Sequence, residues 1–227
     1  DGRKMDELRP MEAKAGVIKR ADGSAYFKIG DTWAYAAVYG PRNLYPRFKQ
    51  DPRKAILRVN YNMLPFLCYG NRVRPGGGRR SKEIALVTEK AISSVVDLSE
   101  FPNAVVDVFI ELPQTDAGTR CAGICAASIA LADAGIKMKD MVSSVSVGRV
   151  DDAVVVDLNY DEEAYDAPVA DVPVAVIHRS KEISLLQMDG DITEEQLIKG
   201  LDMAEKACEE IYKVQVKALK ERYVEGE

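Results

Sequence analysis

The 227-residue chain is expected to be an α+β protein, on three observations. Short β-prone runs separated by Asp-Gly and Gly-Asp turns open it. Two helix patterns follow, one with an apolar stripe at Ile84, Val87, Ala91 and Val95, the other built from small residues after Ala122. A hairpin pattern and a long final helix close it.

Residues 1–14, with Leu8-Arg9-Pro10, read as an extended arm ending in a turn. From Gly16 the pattern is strand-like: Gly16 to Arg20, a turn at Ala21-Asp22-Gly23-Ser24, Ala25 to Ile29, a tight Gly30-Asp31, then Thr32 to Tyr39. Asp-Gly and Gly-Asp suit hairpins because their backbones tolerate positive φ, so a three-strand meander is predicted. Gly40-Pro41 is expected to end the third strand and to begin the loop Arg42 to Phe48. Ala55 to Leu64 alternates, with Leu57, Val59, Tyr61 and Met63 on one face, as a half-buried strand does. Arg72 to Ser81 is rich in glycine and arginine but lacks the Gly-Lys-Ser/Thr ending of a Walker loop. A helix from about Ser81 to Val96, a strand Ala104 to Leu112, and a helix Ala122 to Ala134 capped by Gly135 follow. Met141 to Val150 and Ala153 to Leu158 form a hairpin around Asp151-Asp152. We set the division into residues 1–149 and 150–227 there, although no linker composition marks it. Val172 to His178 and Glu182 to Met188 form the last hairpin. In the final helix, Thr193 to Tyr223, Thr193 and Gln196 fit a capping box, with Leu197, Leu201, Ala204, Cys208 and Ile211 as the seam.

Composition narrows the function. No apolar run approaches the roughly 18 residues of a membrane span, and the charged start is not a signal peptide, so a soluble cytoplasmic protein is expected. Cys121 and Cys125 share a helix face without a second ligand pair for zinc, which favours reduced, buried thiols. His178, the only histidine, sits beside Arg179 at a strand end and reads as structural. The net charge of -5 argues against non-specific polyanion binding, yet the charge is segregated. Arg42 to Lys82 holds eleven Lys or Arg against one acid, Asp51. Such a block is either a solvated face or a polyanion groove.

Three stretches carry candidate chemistry. Asp116 to Gly123 lies between a strand and a helix and contains Gly118, Thr119 and Arg120. Free N–H groups at a helix start, a hydroxyl and a forked guanidinium together suit phosphate. The alternative is a capped helix whose Arg120 makes a structural ion pair. Arg79 and Arg80 stand near another helix start, where cations oppose the dipole, so an anionic partner is inferred. In the loop Arg42 to Phe48, Tyr45 and Phe48 flank Arg47, a mixture of rings and cations that suits single-stranded nucleic acid or else packs as an ordinary loop. Asn159 to Val172 holds five carboxylates, Asp161, Glu162, Glu163, Asp166 and Asp171. Such a loop can hold Mg²⁺, present a proton donor of raised pKa, or be acidic surface. Asp171 differs from the rest because it begins a strand and is therefore fixed in place.

Leu8-Arg9-Pro10, Gly30-Asp31-Thr32, Gly78-Arg79-Arg80-Ser81, Asp116-Ala117-Gly118-Thr119-Arg120 and Ala170-Asp171-Val172-Pro173 run in the order seen in ribonuclease PH. The chain resembles that family over its whole length, and within it the catalytic ring subunits of archaeal exosomes. The resemblance implies a ribonuclease PH-like fold of two β-α halves, of the kind seen in ribosomal protein S5 domain 2. It implies phosphorolysis of RNA from the 3′ end, with inorganic phosphate as co-substrate, Mg²⁺ as cofactor and nucleoside diphosphates as products. It implies phosphate at Gly118, Thr119 and Arg120, RNA backbone at Arg79 and Arg80, and an entry constriction at Arg47. Asp171 falls on the acid of the reaction centre, as catalyst or as metal ligand. The family's second acid lies six residues earlier, at Tyr165 here. This loop is two residues longer, so Glu163 or Asp166 takes the place.

The implied partners are single-stranded RNA, a related non-catalytic subunit in a hexameric ring, and RNA-binding cap subunits. Two other readings are distinguishable. A homo-oligomeric ribonuclease PH trimming tRNA ends predicts activity from this chain alone, and the aromatic-arginine loop weighs against it. A non-catalytic RNA-binding scaffold is expected to lose the phosphate loop or the acid, and this chain keeps Thr119, Arg120 and Asp171.

Overall fold

The computed structural model describes residues 2–67, 74 and 77–224. Cys68 and most of the stretch Arg72 to Gly76 lie outside the described residues. Two sheets are formed. The first has the order β1-β2-β3-β5-β4, from β1 (Met11–Ala15), β2 (Gly23–Ile29), β3 (Thr32–Asn43), β4 (Ile56–Met63) and β5 (Ala104–Gln114). Its pairs are antiparallel except β4 with β5, which are parallel. A parallel pair needs a crossover, and α1 (Arg79–Ser93) supplies it. The second sheet has the order β10-β8-β6-β7, from β6 (Val142–Val150), β7 (Ala153–Val156), β8 (Val169–Ile177) and β10 (Asp189–Gly190), with β9 (Ile183–Leu186) also paired to β8. The short α3 (Tyr160–Glu163) precedes β8, and α4 (Glu194–Val224) ends the chain. The fold is α+β, as expected.

The meander exists, but its first strand is Met11–Ala15 and not Gly16 to Arg20. The alternation of Met11, Ala13 and Ala15 with Glu12 and Lys14 carries that strand. Gly16 then takes φ 71 and turns the chain away. Gly40-Pro41 does not end β3. The strand continues to Asn43 through a register shift between Tyr39 and Arg42, the kind of irregularity that accepts a proline. The Asp151-Asp152 turn joins two strands of one sheet, so the passage between the sheets runs through residues 134–141 and not through 149.

The core forms around α2 (Thr119–Asp133), which contacts β2, β3 and β5 of the first sheet and β6 and β8 of the second. Its Ala, Gly and Cys side chains permit this approach. A Cβ on Gly23 would lie 2.2 Å from the Ala134 nitrogen, so β2 and the end of α2 meet backbone to backbone. Helix α4 closes the second sheet with Ala204, Ala207, Cys208 and Ile211 buried, and its N-terminus carries the expected Thr193–Gln196 box. Gln215, fully buried, satisfies its amide with Ser143 Oγ and the carbonyls of Val142 and Cys125. His178 stacks on Tyr212 with ring centroids 3.7 Å apart.

Candidate active site

Helix α2 begins on two residues in the left-handed region, Ala117 at φ 54 and Gly118 at φ 59. That conformation is easy for glycine and strained for alanine. Thr32 holds the loop: its hydroxyl donates to the Ala117 carbonyl at 2.6 Å and accepts from the Asp116 N–H at 2.8 Å. No side chain caps α2. Its first N–H groups therefore remain an anion-binding end, with Thr119 and Arg120 at their edge.

A small cleft brings Arg80, Gly118, Thr119, Arg120, Cys121, Ser146, Glu163 and Asp171 together. A groove continuing from it is lined by Arg79, Arg80, Glu83, Arg120, Asp171, Gln187, Met188 and Asp189. A wider pocket near Trp33, Phe66 and Tyr160 lacks this convergence of cations, hydroxyls and acids. Arg79 and Arg80 occupy the first turn of α1, which has neither an acidic residue there nor a side-chain cap. Among the described residues neither arginine has an ion-pair partner within 4 Å, and both face the groove.

Asp171 lies on β8 opposite Gly148 of β6, where a Cβ would come within 1.9 Å of the Ala170 carbonyl oxygen. The absence of that side chain lets the β6 and β8 backbones approach closely, and the Asp171 carboxylate accepts a short hydrogen bond from Ser146 Oγ. Burial raises the Asp171 pKa, Asp189 across the β10 pairing raises it further, and the Ser146 bond and the arginines at 120 and 80 pull it down. Glu163, the last residue of α3, is pushed up to about 7, first by burial and then by the Asp171 charge. Arg80, Arg120 and the Gly118 N–H, which donates to it, oppose that rise. Glu163 thus belongs to the cleft. Asp166 is exposed and does not line it, and neither does Arg47, which sits in an exposed 3-10 turn at Arg47–Lys49.

Four contributors are invisible to residue spacing. Gln187 accepts a short hydrogen bond from Arg120 Nη1, donates toward Glu83 at 3.4 Å, and is anchored by its own N–H to the Pro173 carbonyl at 3.1 Å. Ser146 and Asp189 reach Asp171 only through sheet register. Arg9, in the arm, is also buried, and its Nη1 reaches Asp116. The Arg-Pro pair was the available signal for it.

Residues 7–137 match the model of domain 1 of the 3′ exoribonuclease family, and residues 140–207 match that of domain 2. The chain belongs to the 3′ exoribonuclease family. It is 49% identical over 223 residues to exosome complex component Rrp41 of Methanopyrus kandleri, covering 98% of this chain and 92% of that protein. It is 50% identical over 224 residues to exosome complex component Rrp41 of Pyrococcus furiosus, covering 99% and 88%. Among solved structures, a chain of the Archaeoglobus fulgidus exosome with RNA bound to the active site superposes with a TM-score of 0.78 at 25% identity, covering 92% of this chain and 89% of that one. Rice Rrp46 superposes with a TM-score of 0.85 at 24% identity over 96% and 98%, a likeness of fold.

Proposed function

We propose that this chain is a phosphate-dependent 3′ to 5′ exoribonuclease and the catalytic ring subunit of an archaeal-type exosome. The observation that carries the reading is the single cleft in which an uncapped helix start, Thr119 and Arg120 face two carboxylates of raised pKa, Glu163 and Asp171. The full-length similarity to Rrp41 proteins supports it.

Inorganic phosphate bound by the loop N–H groups, Thr119 and Arg120 attacks the phosphorus of the terminal phosphodiester. The P–O3′ bond breaks, and the terminal nucleotide leaves as a nucleoside diphosphate. Phosphate, not water, is the acceptor, so the reaction is a phosphorolysis and not a hydrolysis. The arginines at 79, 80 and 120 offset the repulsion between two anions and stabilise charge in the transition state. Glu163 is suited to give the departing O3′ its proton, because a carboxyl titrating near neutrality is both protonated and willing to release. Asp171, oriented by Ser146, is its partner carboxylate. The carboxylate of Asp171 is a hard oxygen donor that fits Mg²⁺, which commonly takes one or two carboxylates together with substrate phosphates. The ion would supply charge neutralisation at the reacting phosphates. The reading also gives Arg47 a contact with RNA outside the cleft, supported by the exposed Tyr45 and Phe48 beside it. The reading includes a related ring partner, RNA-binding caps and a cytoplasmic location.

The test is incubation of 5′-labelled single-stranded RNA with and without phosphate, with the chain alone and with family-related partner subunits. Phosphate-dependent shortening to nucleoside diphosphates, appearing only with a partner, is expected. Activity of the chain alone would favour a homo-oligomeric ribonuclease PH. Absence of phosphate-dependent activity in every combination would turn the reading to a scaffold. Arg120→Glu and Asp171→Ala are each expected to abolish phosphorolysis without unfolding the chain, and full activity in either would refute these site assignments.

A further inference from the structure

Arg9 has a side chain only 4% exposed. Its Nε and Nη2 meet Asp157 Oδ2 and Oδ1 at 2.9 and 2.7 Å, and its Nη1 meets the Asp116 carbonyl at 2.6 Å and Asp116 Oδ2 at 3.1 Å. The other Asp116 carboxylate oxygen, Oδ1, accepts from the Tyr160 backbone N–H at 2.9 Å. Asp116 begins the phosphate loop, and Tyr160 begins α3, the helix that ends on Glu163. A buried ion network of this kind is weak evidence for stability, because well-packed apolar groups often serve as well. It does fix geometry.

The Tyr160 contact is not needed to form α3. Asn159 and Glu162 already make a complete capping box, with the Glu162 N–H on Asn159 Oδ1 and the Asn159 N–H on Glu162 Oε2, both at 2.9 Å. The Asp116 bond instead joins two loops 44 residues apart in sequence. It ties the start of α3 to the phosphate loop, beside an ion pair from Arg3 to Glu162 at 3.5 Å and the Gly118 N–H bond to Glu163 at the other end of the helix.

We propose that Asp116, held by Arg9, is a positioning residue for the phosphorolytic step: its carboxylate sets the start of α3 against the start of α2, and so places Glu163 opposite Thr119 and Arg120. This rests on the reading of Glu163 as the proton donor given above.

Tyr160→Pro isolates the bond. Position 160 is the first helical residue, where proline is tolerated, and Asn159 at φ -92 and ψ 177 has the extended backbone that a following proline requires. Tyr160→Ala removes the side chain but keeps the N–H. Both are assayed in the active assembly, per folded molecule. Relative to Tyr160→Ala, the Tyr160→Pro variant is expected to lose about tenfold or more in kcat, with the KM for phosphate within about threefold and the urea midpoint unchanged. Asp116→Ala should reproduce the loss in kcat, and Asp116→Asn, which keeps an acceptor for the Tyr160 N–H, should recover part of it. Equal kcat in the two Tyr160 variants, or no difference between Asp116→Ala and Asp116→Asn, overturns the proposal. Glu163→Gln separates the two claims. If it keeps full kcat, the proton-donor reading fails. If it is inactive while the Tyr160 variants are equal, only the positioning role fails.

Discussion

Asp189 stands directly opposite Asp171 across the short β8–β10 ladder. Residues opposed in this way share a sheet face, and like charges there repel. That repulsion, added to burial, holds the Asp171 carboxyl above its ordinary pKa. Asp189→Asn is expected to lower the Asp171 pKa, followed by carbon-13 NMR of labelled aspartate carboxyls across pH. An unmoved Asp171 titration would mean that Asp189 contributes nothing to its state.

Glu163 gives a prediction in stability. Its pKa is raised from 4.5 to about 7 on folding, so the folded chain binds this proton more tightly than the unfolded chain does. The stability it contributes is present in full below the unfolded value and is lost as pH rises through the folded one. Glu163→Gln stays neutral throughout. Its melting temperature relative to the parent should therefore rise between about pH 5 and about pH 8, measured with chelator present. A constant difference across that window would contradict the raised pKa.

Gln187 orients Arg120 through its side-chain oxygen. Gln187→Leu deletes that acceptor and should raise the KM for phosphate several-fold with a smaller change in kcat. Gln187→Glu should raise it further, because a carboxylate competes with phosphate for the guanidinium. Steady-state kinetics against phosphate decides this, and a KM lowered by Gln187→Glu would remove Gln187 from the phosphate site.

At the far end of α4, Arg222 makes a close ion pair with Asp133, whose side chain is 1% exposed and also accepts from the Ser24 N–H. Arg222→Leu strands a buried carboxylate oxygen and should cost about 1–3 kcal/mol by urea unfolding. The double variant Arg222→Leu with Asp133→Asn should recover part of that loss. Turnover per folded molecule should stay at the parent level, because this latch lies outside the cleft.

The sequence displayed what depends on neighbours along the chain. Helix α2, expected from Ala122 and found from Thr119, the Ile84 to Val95 stripe, the β6–β7 turn at Asp151-Asp152 and the seam of α4 are all local patterns. The phosphate loop was legible for the same reason, and Asp171 was singled out by its place at a strand. What stayed hidden depends on register and crossing. Ser146 and Asp189 are strand residues with ordinary flanks until β6, β8 and β10 align. Arg9 finds Asp157 across 148 positions, so its arm looked uninformative. The choice between Glu163 and Asp166 was open because the lengthened loop changes spacing without changing composition. The turn of α3 directs Glu163 inward and leaves Asp166 outside.

Thr119 and Arg120 come from the helix that follows the first sheet, Asp171 and Asp189 from the second sheet, and Gln187 from the connection between β9 and β10. During translation the anion loop leaves the ribosome first, with no acid opposite it. Only after β8 and β10 have emerged and paired can the cleft close. Neither the stretch up to α2 nor the second sheet alone therefore carries the full set of side chains that line the cleft, and the site exists only where the two meet.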